Sequence, residues 1–165
     1  MTEVSAILDE LGWTQDEEGI YGTSILLENG AEYPVYLQEL IIQGRMPGFR
    51  LDIIARDFLF NEGAEGLSEL LYLVTTRSPA GILDVEDGIL MISHAWPCSS
   101  FVGDNHALID QIEVMAEVLS GKLEEAIISV DLLSRGLTPS AAASLGMEFS
   151  RDFAEIQATE VFPKH

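Results

Sequence analysis

The residues whose types could do chemistry are His94, Cys98, His106 and several groups of adjacent acids. The soft ligands run in the order His-x3-Cys-x7-His. Tetrahedral zinc sites draw on paired Cys or His at short, regular spacings, which this order does not supply. Cys98 with a histidine base would make a nucleophile pair, but Pro97-Cys98-Ser99-Ser100 carries no signature of one and reads as a loop. The acids cluster as Glu17-Glu18, Glu86-Asp87 and Glu124-Glu125. Acid–base catalysis needs two carboxylates in different environments across a cleft, whereas neighbours in turns and on helix faces are simply solvated. Asp84 to Gly88 opens like a calcium loop, yet it lacks the downstream Glu and sits in a hairpin. Gly12, Gly19 and Gly22 form no phosphate loop, and the lysines are Lys122 and Lys164 alone. These residues predict no catalytic centre, no metal site and no cofactor. His94 reads as a strand end and Cys98 as a small apolar filler.

Charge narrows the partners. With 28 acidic against 8 basic residues the formal net charge is -20, which repels nucleic acid and anionic membrane surfaces alike. A basic protein partner fits better. A single cysteine allows no intramolecular disulfide and fits a reducing compartment. The opening MTEVSAILDELGW lacks the basic-then-apolar pattern of a secretory signal, and no apolar run reaches membrane-spanning length. The expectation is a soluble, cytoplasmic chain whose 165 residues fit one domain with a sizeable core.

The elements that would position any site follow from apolar periodicity and punctuation. Thr2 caps a helix with the stripe Val4, Ile7, Leu8 and Leu11, ended by Gly12. An acidic turn leads to a strand from Ile20 to Glu28, and Asn29-Gly30 signals a two-residue hairpin. A second strand runs from Ala31 to Gln43, a turn from Gly44 to Gly48, and a third strand from Phe49 to Phe60. Leu67, Leu70, Leu71 and Val74 mark a second helix, stopped at Ser78-Pro79. Ile82 to Val85 and Ile89 to His94 are strands joined by Asp87-Gly88. Pro97 to Gly103 connects to a long helix capped by Asp104 or Asn105, with the stripe Leu108, Ile112, Met115, Leu119, Leu123, Ile127 and Val130. Gly121 weakens its middle, and Arg135-Gly136 ends it. Thr138-Pro139 starts a last helix through Leu145, Phe149, Phe153 and Ile156, which Gly146 is placed to divide. The predicted class is α+β, an antiparallel sheet in the order α-βββ-α-ββ-α with an extra C-terminal helix. Residues 1–133 form the domain and residues 134–165 a helical extension of it. Tyr21, Ile25, Leu27, Tyr36, Leu40 and Ile42 make the meander greasier than a solvated face requires, so a partner or the last helix must cover them.

That order resembles the class I type III secretion chaperones and the related YbjN-like proteins. The resemblance rests on Ile7-Leu8-Asp9-Glu10-Leu11-Gly12 with Asp16-Glu17-Glu18-Gly19, on Ile82 through Ile92 as the second hairpin, and on Leu108-Ile109-Asp110-Gln111-Ile112 with Met115-Ala116 as the closing helix. It spans about Thr2 to Ile128. It implies an acidic cytosolic homodimer without enzymatic activity that holds an extended segment of a secreted effector. By element, it implies client contact at Leu8, Leu11, Tyr21, Ile25, Leu27 and Tyr36, and a dimer interface at Leu67, Leu70, Leu71 and Val74. The segment from Ser134 to His165 exceeds the family's closing helix. That departure leaves a second implication, a YbjN-like stand-alone protein with a regulatory or stress role.

Overall fold

The structure is a computed structural model that describes residues 2–26, 32–59, 61, 63–77, 79–97 and 105–161; of residues 2–4, 26, 57–59 and 151–161 it describes the backbone alone. The elements are α1 (Thr2–Glu10), β1 (Thr14–Gln15), β2 (Tyr21–Leu26), β3 (Glu32–Ile42), β4 (Met46–Leu59), α2 (Leu67–Thr76), β5 (Ile82–Glu86), β6 (Ile89–Pro97), α3 (Asn105–Ser134) and α4 (Pro139–Val161). The chain is α+β, with the helix–strand order read from the sequence and the additional C-terminal helix. Only β1 adds to that order. It grows from the acidic turn, where the Asp16 carboxylate accepts from the backbone N–H groups of Glu18 and Ile20 at 2.9 and 3.0 Å and folds the chain back onto β2.

One antiparallel six-stranded sheet runs in the order β1-β2-β3-β4-β6-β5. Alternation along each strand decides its two faces. Tyr33, Val35 and Leu37 of β3, Phe49, Leu51, Ile53 and Ala55 of β4, and Leu90, Ile92 and Trp96 of β6 are all buried on one side. Against them α1 sets Leu8, α2 sets Leu67, Leu70 and Val74, and α3 sets Leu108, Ile112, Leu119 and Leu123. The Asp87-Gly88 turn closes β5 and β6 in two residues, with φ of 52° and 77°, as its sequence demands.

Two expectations need correction and one holds. The β3–β4 turn is Gln43-Gly44-Arg45, since Ile42 already pairs with Met46, so β4 starts earlier than Phe49. The long helix expected from Asp104 or Asn105 to Gly136 is present, α3 running through Gly121 over 30 residues, about 45 Å. Gly146 does not divide α4; it lies where α4 crosses α3, and a Cβ there would strike the Ser129 side chain and come within 3.1 Å of the Glu125 carbonyl oxygen. Glycine at that crossing lets two backbones approach, and Ala142, Ala143, Ala126 and Ser129 are buried around it. α4 therefore stacks on α3 and α2, making a third layer over the helices.

Candidate functional site

Placing α4 on the helices leaves the other face of the sheet half-exposed among the described residues. Its middle is a polar cluster. The Arg50 Nε donates to the Asp52 carboxylate at 3.0 Å, the Ser93 hydroxyl donates to the same carboxylate oxygen, and Arg50 Nη2 reaches Ser93 Oγ at 3.4 Å. Cross-strand pairing of Asp52 with both Tyr36 and Ser93 lines these groups up across three strands. Arg56 Nη2 donates to the Tyr36 hydroxyl at 3.1 Å, and the Tyr36 ring lies over Gly22, 3.7 Å from where a Cβ would stand. Half-exposed Leu40, Ile42, Ile54 and Met91 surround the cluster, and Ile82 at the edge is 67% exposed. Arg50 and Arg56, two of the chain's 8 cations, both lie on this face.

Register decides which anticipated residues reach this face. A two-residue turn at Asn29-Gly30 would pair residue 28 with 31 and set Tyr21 opposite Gln38, on the side of Tyr36. The strands instead pair Leu26 with Glu32 and Tyr21 with Leu37. Residues 27–31 lie outside the described residues, but their odd number shifts the register by one and sends β2 side chains to the opposite face. Tyr21 is consequently buried, its hydroxyl 2.9 Å from Ser5 Oγ, and Ile25 packs against the core. Leu8 is 1% exposed. Leu8 and Tyr21 are thus unavailable at a surface for a client. Leu11, past the end of α1, is 50% exposed, Tyr36 is half-exposed, and Leu27 lies outside the described residues. The anticipated dimer contacts meet the same objection: Leu67, Leu70 and Val74 are core residues and Leu71 packs against them, because α2 turns its apolar stripe inward. Its outward aromatic is Tyr72, 68% exposed.

At the β5 edge the outward N–H groups are already occupied. The outward N–H of Leu83 donates to Thr75 Oγ1 at 3.2 Å, and that of Val85 to the Asp84 carboxylate at 2.8 Å. At the far edge β1 is two residues long. Both are devices that deny an exposed ladder to other chains. Two open clefts flank the sheet. One of about 480 Å³ is lined by Ser5, Gln15, Glu18, Gly19, Tyr21, Gln38 and Glu39, the other of about 380 Å³ by Thr23, Ser24, Glu32, Pro34 and Arg56. Neither converges acid, base and nucleophile.

The soft ligands do not assemble among the described residues, where no group of three His, Cys, Asp or Glu could hold a metal ion. Cys98 lies outside the described residues. His106 is exposed at the start of α3. His94 sits on the helix side of β6, its ring 6.1 Å from Trp96, and its Nδ1 accepts the Gly81 N–H at 3.2 Å. Burial, then the charge of Lys122, lowers its pKa from the usual histidine range. Lys122 is the residue that sequence reading missed. It is 7% exposed, and its Nζ donates to the carbonyls of Thr75, Ala80 and Gly81 at 2.7, 2.8 and 3.0 Å. Its signal was positional: Lys122 stands three residues after Leu119 and four before Ala126, on the buried stripe of α3.

No helix among the described residues is long and apolar enough to cross a membrane. No family model matches the chain, and neither does any curated protein or solved structure.

Proposed function

We propose that this chain is a non-enzymatic, cytoplasmic protein-binding protein of the secretion-chaperone kind, self-associating as a dimer and holding an extended segment of a client across the open face of its sheet. The observation that carries the reading is the placement of α4 on α3 and α2, which leaves Tyr36, Leu40, Ile42, Ile54 and Met91 half-exposed around Arg50, Asp52 and Ser93. Apolar client side chains would settle among the first group, and client amides would meet the second. The occupied N–H groups of the β5 edge favour face contact over strand addition there. The overall charge of -20 favours a basic client over an acidic one at long range, whereas Arg50 and Arg56 on the face itself call for client carbonyls or carboxylates at contact.

The test is affinity capture from the native host with the wild-type chain and with Ile54→Asp, alongside solution mass by light scattering. A single stoichiometric partner retained by the wild type and lost by Ile54→Asp, with thermal stability unchanged, supports the proposal. A clean monomer without partner, or capture indifferent to Ile54→Asp, overturns it.

A further inference from the structure

The Gly81 peptide is gripped by two titratable side chains of opposite hydrogen-bonding character. Its N–H is accepted by Nδ1 of His94 on β6, and its carbonyl accepts from Nζ of Lys122 on α3. The residue is buried, with φ of +89°, and a Cβ there would lie 2.7 Å from both Ile92 Cδ1 and Leu119 Cδ2. This clasp is where the chain passes from α2 into the edge strand β5. Lys122 also holds the Thr75 and Ala80 carbonyls, and Thr75 Oγ1 holds the Leu83 N–H. One small junction therefore ties α2, α3, β5 and β6 together.

The arrangement works with one protonation pattern. A neutral imidazole with a bare Nδ1 accepts the Gly81 N–H; an imidazolium has no lone pair to offer and sets donor against donor. It would also add a second cation beside Lys122. The other charges at the junction are Glu125 of α3, whose field acts on Lys122, and Arg77 at the end of α2. Arg77 Nη1 is 2.6 Å from Glu125 Oε1 and donates to the Ala143 carbonyl of α4 at 2.7 Å. The Glu125 carboxylate is thus already engaged by Arg77 and cannot turn wholly to a new imidazolium.

We propose that His94, Gly81 and Lys122 form an acid-released clasp: protonating His94 frees the junction between α2 and β5 and loosens the edge strand while the remaining sheet stays paired. The lowered His94 pKa agrees in sign. A histidine whose folded-state pKa lies below its unfolded value binds fewer protons folded than unfolded. Its contribution is complete above the usual histidine pKa and is lost as pH falls from about 6.5 toward the folded value. That window opens near pH 6.5, well above the ordinary carboxylate range near pH 4, so its upper part is crossed while the acidic residues stay charged.

The experiment is amide hydrogen exchange by NMR on the full chain at pH 7.5 and 5.2, corrected for intrinsic exchange, with His94→Gln beside the wild type. Glutamine accepts through its side-chain oxygen and does not titrate. Protection of Gly81 and Leu83 falls at least about tenfold in the wild type relative to β3 and β4 amides, and does not fall in His94→Gln. An equal fall in both chains, or none in the wild type, overturns the proposal. Imidazole titration of the wild type decides it independently of whether the variant folds. His94 must keep Nδ1 unprotonated at pH 7.5 and titrate below the ordinary histidine value of about 6.5; a His94 that titrates at or above that value ends the idea.

Discussion

Lys122 shows how one side chain can hold what its own element cannot. α2 carries no basic residue in its last turn, and the Arg77 guanidinium at its C-cap turns to Glu125 and the Ala143 carbonyl. The cation arrives from α3 instead, and all three ammonium protons find carbonyls within 3.0 Å. Burial alone pushes the Lys122 pKa down, and Glu125 partly restores it. Lys122→Met keeps much of the stem's packing and removes three hydrogen bonds to the α2–β5 junction. Urea denaturation should register a loss of about 2–4 kcal/mol, because buried carbonyls stripped of a charged donor bear their desolvation cost. An unchanged midpoint would mean that water replaces the ammonium without penalty.

At the scale of elements, α3 and α4 separate two uses of glycine. Gly121 faces open space, with nothing within 4 Å of where a methyl group would stand, so Gly121→Ala should add about 0.5–1 kcal/mol through helix propensity alone. Gly146 sits at the crossing with Ser129 and the Glu125 carbonyl. Gly146→Leu should cost about 1–3 kcal/mol and reduce amide protection in α4 before it touches the sheet. Opposite signs at two helical glycines are the check; equal gains would show that α4 does not seat closely on α3. Element packing also explains the fate of α2. A ten-residue helix with one apolar stripe has a single face to bury, and β5, α3 and α4 enclose it.

At the scale of the molecule, 28 acidic against 8 basic residues leave most carboxylates without a cation of their own to relieve the charge of -20. Among the described residues, three carboxylate–arginine pairs lie within 3.0 Å, and Arg135–Asp131 is mostly exposed. Exposed pairs of that kind contribute little. Self-repulsion should therefore dominate the response to salt. Raising ionic strength from about 0.01 to 0.15 M shortens the screening length from about 30 to 8 Å, and the melting temperature should rise. A falling melting temperature would show that the arginine pairs outweigh the repulsion.

Sequence by itself determined the element order, the helix ends near Gly12 and Gly136 and the Asp87-Gly88 hairpin, because periodicity, capping and turn chemistry act over a few neighbouring residues. The same local signals could not choose the β2–β3 register, since moving the pairing by one residue costs no local rule yet carries Tyr21 from the open face to the core. Nor could they assign α4 to the helices or recruit Lys122 to a peptide some 41 positions away. Those outcomes depend on which surfaces can approach closely in three dimensions, and that decision leaves Tyr36 and Ile54 half-exposed and Arg50 exposed.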